Sequence, residues 1–340
     1  MTHRRLTSLA AAVVLLALAA VHPQSPPLPS GASDKTATVF GSKIRYLDAG
    51  SGPAVVLLHG LGGDSSHWAP AIGALSQKFR VIVPDQIGFG RSDKPFLNYR
   101  VGTLVDFLDG LFRELKLERA SLVGSSLGGW TAAAFALAHP EKVARLALVG
   151  SAGFALAPDF DPRALNKLNP STLEGARALL SSVFYNRETF ASAAAAEQLL
   201  ARHATVGDGY TIQRFVESIA RREDVLDNRL SALKAPTLII WGREDALTPL
   251  ALAERFKREI AGAELVVIDK CGHVPQLEKP AESNAALLGF LGGSAPPGAA
   301  LRQAPGDRPN VLWILGELRA VMERRMKECN DREEIPGEPR

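Results

Sequence analysis

The sequence predicts an α/β fold in which helices cover both faces of a mostly parallel central sheet. Three observations support this prediction. Short, unbroken apolar runs alternate with segments of helical periodicity, as is typical of parallel strands that are buried on both faces. One such run ends at a serine between two glycines, within residues 124–128, and a helical segment follows at once. The alternation is then interrupted by residues 151–233, which lack strand character.

The composition excludes several classes of protein. The chain has 340 residues and a net charge of only +3, so it offers no electrostatic footprint for nucleic acid. Its two cysteines, Cys271 and Cys329, are too few for a disulfide scaffold and show no metal-ligand spacing with the histidines. We therefore expect one main domain with additions, no nucleic-acid partner and no metal or organic cofactor.

The amino-terminal segment has the pattern of a secretory signal peptide, predicted over residues 1–20. Basic residues come first, an apolar run from Leu9 to Val21 follows, and Ala17-Leu18-Ala19 matches a small-x-small cleavage site. This predicts a periplasmic or secreted protein. The alternative is an uncleaved membrane anchor, although the run is short of the roughly 20 residues that span a bilayer. Residues 21–35, rich in Pro and Ser, are expected to form a flexible mature amino terminus.

The first part of the core is predicted over residues 36–150. Residues 36–47 alternate between apolar and polar around Gly41, which indicates a hairpin. Residues 100–117 carry one apolar stripe at helical spacing. The predicted buried strands are Val55–Leu58, Val81–Val83, the run that ends at Gly124, and Leu146–Val149.

Residues 151–233, which we call the cap, are predicted to be entirely helical. The helical segments are Leu173–Val183, Glu188–His203 and Thr211–Arg222. An insertion at this point lies over the carboxyl ends of the strands, so we interpret the cap as a lid that shapes a substrate pocket and excludes water. The alternative is a second helical domain with its own partner.

The second part of the core is predicted over residues 234–292, with two further strands and two helices. These are Thr237–Trp241, Leu250–Ala261, Glu264–Ile268 and Pro280–Leu291. A Pro/Gly-rich linker, 293–309, leads to an amphipathic tail, 310–340. The tail either packs back on the domain or contacts a membrane surface or a protein partner.

Ser126 is the predicted nucleophile because it alone has glycine at both flanking positions; Ser125 does not. The glycines allow a sharp turn that exposes the hydroxyl at a helix start. There the backbone N–H of Leu127 and the helix dipole can stabilise an oxyanion. The glycine-rich turn at residues 59–63 follows another strand, and the N–H of Leu61 is the second predicted donor.

A serine hydroxyl needs a base, usually a histidine oriented by a carboxylate. Of the seven histidines, His273 lies in a loop after a strand on the same sheet edge as Ser126, whereas His59 is expected to hydrogen-bond its own loop. Glu244, Asp245 and Asp269 compete as the acid, and the short side chain of Asp245 favours it. A further strand-end carboxylate, at position 85, precedes glycine turns and is interpreted as structural.

These residues resemble the α/β-hydrolase superfamily, specifically its serine-nucleophile members related to esterases, lipases and meta-cleavage product hydrolases. The resemblance covers residues 36–292. Its motifs are His59-Gly-Leu-Gly-Gly, Asp85 to Ser92, Gly124-Ser-Ser-Leu-Gly-Gly, Trp241-Gly-Arg-Glu-Asp and Cys271-Gly-His. The resemblance implies a triad of Ser126, Asp245 and His273, a helical cap inserted after the sixth strand, and no cofactor.

The favoured function is hydrolysis of a carboxylic ester, and apolar cap residues such as Phe184, Phe190 and Phe215 suggest a lipophilic substrate. Meta-cleavage product hydrolases, which cleave a carbon–carbon bond, typically have asparagine and an aromatic residue where this chain has Ser125 and Val274. They remain an alternative, as do cofactor-free haloperoxidases. A non-catalytic binding protein on the same scaffold is the alternative from another class. Epoxide hydrolases and haloalkane dehalogenases have aspartate at the nucleophile position and are disfavoured.

Overall fold

The computed structural model of the chain describes residues 28–29 and 31–293. Its centre is one eight-stranded sheet in the order β1-β2-β4-β3-β5-β6-β7-β8. The strands are β1 (Ala32–Val39), β2 (Ser42–Ala49), β3 (Ala54–Leu58), β4 (Arg80–Pro84), β5 (Ala120–Ser125), β6 (Val143–Val149), β7 (Thr237–Gly242) and β8 (Glu264–Ile268). β1 and β4 both pair antiparallel with β2, and all other pairs are parallel. The predicted mostly parallel sheet is confirmed.

Helices connect the parallel strands and also fill the segment between β6 and β7. They are α1 (Ala69–Leu75), α2 (Val101–Glu114), α3 (Leu127–Ala138), α4 (Leu173–Val183), α5 (Arg187–Phe190), α6 (Ala193–Val206), α7 (Gly209–Ala220), α8 (Leu250–Glu259), α9 (Pro275–Glu278) and α10 (Pro280–Leu291). The described part of the chain contains no helix that is both long and apolar enough to cross a membrane.

Both faces of the sheet are buried, which explains the unbroken apolar runs. In β6, Leu146 and Leu148 face one apolar core, which also contains side chains of α2, α3 and α8. Ala147 and Val149 face the other core, together with side chains of α1 and α10. Because successive strand residues point to opposite faces, a strand covered on both sides needs an apolar residue at every position.

Two predicted boundaries are wrong. β1 begins at Ala32, inside the segment 21–35 that was expected to be flexible, because residues 32–35 pair with β2 in register from Ala32 opposite Ala49. The predicted helix 188–203 is two helices, α5 and α6. A new helix starts after Ser192, whose side chain accepts a hydrogen bond from the N–H of Ala195 at 3.2 Å and so caps α6.

The cap contacts loops at the carboxyl ends of the strands. Gly62 follows β3, and a Cβ placed there would lie 3.3 Å from Ile212 Cδ1 of α7. On the α3 side, Trp130 Nε1 donates to the Asp224 carbonyl at 2.8 Å. The helical insertion is therefore packed over the edge of the sheet where Ser126 lies.

Several sequence predictions concern residues outside the described ranges. These are the signal peptide (1–20), the residues of the expected flexible segment that precede position 28, nearly all of the linker, and the amphipathic tail with Cys329. They stay predictions.

Candidate active site

Ser126 lies on a tight turn between β5 and α3, with φ 55° and ψ −117°. Residues other than glycine rarely adopt this backbone conformation, so contacts with neighbouring residues must hold the turn in place. A Cβ on Gly124 would lie 2.1 Å from the Gly128 carbonyl oxygen, and a Cβ on Gly128 would lie 2.3 Å from the Leu58 carbonyl oxygen of β3. Both flanking glycines are therefore required by close backbone contact, as the spacing predicted.

The turn that follows β3 passes directly against Ser126. A Cβ on Gly60 would lie 3.1 Å from Ser126 Cβ. The amides of Leu61, in this turn, and Leu127, at the first position of α3, take no part in the backbone hydrogen bonds of the described loops and helix caps. The predicted oxyanion hole needs two such unbonded backbone donors beside the serine, and this role stays a prediction.

His59 supports this turn. Its Nε2 accepts from the N–H of Gln86 at 2.9 Å, and its Nδ1 lies 2.8 Å from the Gly60 carbonyl oxygen. The side chain is fully buried, and this burial lowers the pKa of His59. A neutral ring that donates through Nδ1 and accepts through Nε2 fits both contacts, so His59 holds the loop.

Asp245 and His273 form a buried pair. His273 Nδ1 donates to Asp245 Oδ2 at 2.8 Å, and the two residues are 3% and 5% exposed, respectively. The other carboxylate oxygen, Oδ1, accepts from the backbone N–H groups of Leu247 and Thr248 at 2.9 and 2.8 Å. The Thr248 hydroxyl donates to Oδ2 at 2.8 Å. These bonds fix the carboxylate, and in the neutral ring they place the proton on Nδ1, so that Nε2 carries the free lone pair.

The pair is next to the serine turn. The N–H of Ser126 donates to the Val149 carbonyl at 2.9 Å, and a Cβ on the following Gly150 would lie 3.3 Å from His273 Nδ1. Gln276, shortly after the histidine, donates to Ser125 Oγ at 3.0 Å. His273 Nε2 is buried and has no hydrogen-bond partner among the described residues, so no hydrogen bond links it to Ser126 Oγ.

The competing carboxylates have structural contacts. Glu244 accepts from the N–H of Cys271 at 3.0 Å. Asp269 is exposed and pairs with Arg243. Asp85 is 1% exposed and accepts from the N–H of Ser65 at 2.8 Å, which holds two loops together as expected for a structural role.

Sequence reasoning missed an ion-pair cluster between the cap and the loop that follows β3. Arg202 of α6 donates to the Gly62 carbonyl and to Asp64 Oδ2, the latter at 2.9 Å, and lies 3.5 Å from Asp208 Oδ2. Burial opposes ionisation of the Asp64 carboxyl, but the charges of Arg202 and His67 and the bond from Ser66 lower its pKa well below the ordinary value. No local pattern in α6 marks the contacts of this arginine with Gly62 and Asp64, because these two residues lie 140 and 138 positions away in the chain.

Among residues 28–29 and 31–293, no group of three or more His, Cys, Asp or Glu side chains is arranged to hold a metal ion. The buried Cys271 lies beside the histidine loop, and burial raises the pKa of its thiol. It is therefore protonated at neutral pH and a poor nucleophile.

A family model described as the alpha/beta hydrolase fold matches residues 53–280, which is more than half of the chain. The chain belongs to the α/β-hydrolase family. The predicted family and fold are thus confirmed, and the matched region of this α/β-hydrolase includes Ser126, Asp245 and His273.

Several hydrolases of known name are similar to this α/β-hydrolase in sequence or in structure. It is 34% identical over 274 residues to a 2-hydroxy-6-oxononadienedioate/2-hydroxy-6-oxononatrienedioate hydrolase of Paraburkholderia phymatum, covering 74% of this chain and 91% of the relative. A meta-cleavage product hydrolase from Pseudomonas fluorescens is similar in structure, with TM-score 0.69, 32% identity, and coverage of 76% and 97%. A crystal structure of a membrane phospholipase A is also similar, with TM-score 0.68, 29% identity, and coverage of 77% and 86%.

Proposed function

We propose that the chain is a serine hydrolase in which Ser126 is the nucleophile, His273 the general base and Asp245 the acid that orients it. The observation that carries this proposal is the buried 2.8 Å bond between His273 Nδ1 and Asp245 Oδ2, beside a serine on a glycine-flanked turn. In the neutral ring with its proton on Nδ1, Nε2 carries the lone pair and has no hydrogen-bond partner among the described residues, as a base for Ser126 requires.

The reaction proceeds in two halves. Ser126 Oγ attacks a substrate carbonyl carbon while His273 Nε2 takes the hydroxyl proton, and the N–H groups of Leu61 and Leu127 donate to the resulting oxyanion. When the tetrahedral intermediate collapses, the bond to the leaving group breaks and His273 returns the proton to it. Water then attacks the acyl group on Ser126, again with His273 as base, and releases the acid product.

For the bond that is cleaved, we propose the carbon–carbon bond of a 2-hydroxy-6-oxo-dienoate, the substrate type in the names of the relatives. The support is the 34% identity to such a hydrolase over 91% of its length. A carbon leaving group departs as a carbanion, so the carbanion must be stabilised. In a 2-hydroxy-6-oxo-dienoate the 2-enol first tautomerises to the 2-ketone, as a proton moves from the 2-hydroxyl to C5. When the C5–C6 bond then breaks, the carbanion at C5 is conjugated with the C2 carbonyl, and His273 returns the proton to it.

A carboxylic ester is the second candidate substrate, because two residues depart from those typical of meta-cleavage product hydrolases. Ser125 and Val274 stand where an asparagine and an aromatic residue are typical, and the Ser125 hydroxyl is bonded to Gln276. An ester needs only an alkoxide leaving group, which His273 can protonate directly. The similarity in structure to a membrane phospholipase A supports this alternative.

The two substrates are separated by one set of assays on the full chain. The wild type, Ser126→Ala and Ser125→Ala are incubated with a fluorophosphonate probe, with 2-hydroxy-6-oxo-dienoates, and with p-nitrophenyl esters from acetate to palmitate. We expect labelling and turnover in the wild type and Ser125→Ala and neither in Ser126→Ala, with dienoate turnover exceeding ester turnover. Faster ester turnover favours the second candidate. A folded wild type that neither labels nor turns over any substrate rejects the serine hydrolase and favours a binding protein.

A further inference from the structure

The loop that carries His273 is bonded to the cap through its backbone. The N–H of His273 donates to the Val183 carbonyl, at the end of α4, at 2.7 Å. The preceding residue is in even closer contact, since a Cβ on Gly272 would lie 2.4 Å from the Val183 oxygen and 2.8 Å from the Tyr185 nitrogen. The histidine backbone is therefore held by the cap segment 183–186, whereas the imidazole ring is held by the core through Asp245.

Glu278, the last residue of α9, joins the same two segments through its side chain. One carboxylate oxygen accepts from the N–H of Gly272 at 2.7 Å and from the N–H of Tyr185 at 3.2 Å. The other accepts from the N–H of Asn186 at 2.6 Å. Glu278 is only 5% exposed, and no Lys, Arg or His of the described ranges forms an ion pair with it.

A buried carboxylate without a counter-ion is costly unless hydrogen bonds replace its water. Here the replacement comes entirely from backbone N–H groups, one in the histidine loop and two in the cap. Two of its three hydrogen bonds therefore exist only while the cap segment 183–186 is docked on the histidine loop. The two segments are far apart in sequence, so this contact couples the conformation of the cap to the position of the loop.

We propose that Glu278 is a positioning residue for the general base: it locks the backbone beside His273 to the cap segment 183–186. The imidazole then keeps its alignment with Ser126 only while the cap is docked. This inference rests on the proposed function, since it assigns a role to a residue that acts through His273. It predicts that a change made in the cap alone alters the reactivity of Ser126.

A pair of cap variants isolates the key hydrogen bond. Asn186 has φ −79°, which proline can adopt, so Asn186→Pro removes the N–H that bonds Glu278 without demanding a new backbone conformation there. Its side chain caps α5 by accepting from the N–H of Thr189, and both Asn186→Pro and Asn186→Ala remove that cap. The difference between the two variants therefore reports on the N–H bonded to Glu278.

Two measurements report on the position of His273. One is the rate at which a fluorophosphonate labels Ser126, and the other is the chemical shift of the downfield proton on His273 Nδ1. We expect Asn186→Pro to label about tenfold more slowly than Asn186→Ala, as for the loss of one charge-assisted hydrogen bond. We also expect its Nδ1 proton resonance to shift. Equal labelling rates and an unshifted resonance in the two variants overturn the inference.

A second pair of variants keeps the inference testable should the proline variant not fold. Glu278→Gln places an NH₂ group against backbone N–H donors, whereas Glu282→Gln makes the same change in the first turn of α10. We expect slower labelling and a shifted resonance for the first variant only, and identical behaviour of the two overturns the inference. If the folded wild type does not label at all, the proposed function fails, and the His273 resonance alone then decides the positioning role.

Discussion

Replacing Asp245 by asparagine reverses the ring tautomer of His273. The Oδ1 side of the carboxylate faces the backbone N–H groups of Leu247 and Thr248, which can only donate. The amide oxygen of the introduced asparagine must therefore take this side, and its NH₂ group faces His273 Nδ1. Two donors cannot face each other at 2.8 Å, and the Thr248 hydroxyl, which loses Oδ2 as its acceptor and lies 3.0 Å from Nδ1, can donate to Nδ1 instead. We therefore expect Nδ1 to accept and the ring proton to move to Nε2.

A proton on Nε2 removes the base that Ser126 needs. We expect Asp245→Asn to lower turnover and the fluorophosphonate labelling rate by about 10⁴-fold, equivalent to about 5.4 kcal/mol in the activation free energy. Asp269→Asn is the matched control, since Asp269 is exposed and pairs with Arg243 at the surface. Circular dichroism establishes that both variants are folded. A folded Asp245→Asn variant that labels within tenfold of the wild-type rate refutes the assigned tautomer and the role of Asp245.

Two further predictions concern stability. Arg202→Leu leaves the carboxylates of Asp64 and Asp208 without their cation, so we expect urea denaturation to show a loss of about 3 kcal/mol in the free energy of unfolding. Arg163→Leu, at an exposed ion pair, is the control, and equal effects of the two changes contradict the prediction. Burial lowers the pKa of His67 to about 4, whereas the unfolded chain keeps the ordinary value of about 6.5. Between these values the unfolded chain binds a proton that the folded chain does not, so the free energy of unfolding falls as the pH is lowered from about 6.5 to 4. His67→Asn is expected to reduce this slope, and an unchanged slope in urea denaturation contradicts the assignment.

The sequence by itself determined the features that depend on neighbouring residues. The bounds of α4, β8 and α10 agree with the prediction, because periodicity, glycine and proline report directly on local backbone preferences. The serine turn is also local: its two glycines are required by contacts around the turn itself. The motifs at the serine turn and at the carboxyl ends of β3, β4, β7 and β8 were sufficient to identify the family.

Only the tertiary structure decided what joins segments that are distant in the chain. Nothing near Glu278 indicates that its carboxylate is buried against the backbone of the cap, since a glutamate at the end of a short helix is normally solvated. The same holds for the contact of Arg202 with the loop that follows β3, and for the pairing of residues 32–35 with β2. Local propensity carries no information on which distant backbone group a side chain meets. The packing of the cap on the sheet edge sets those contacts.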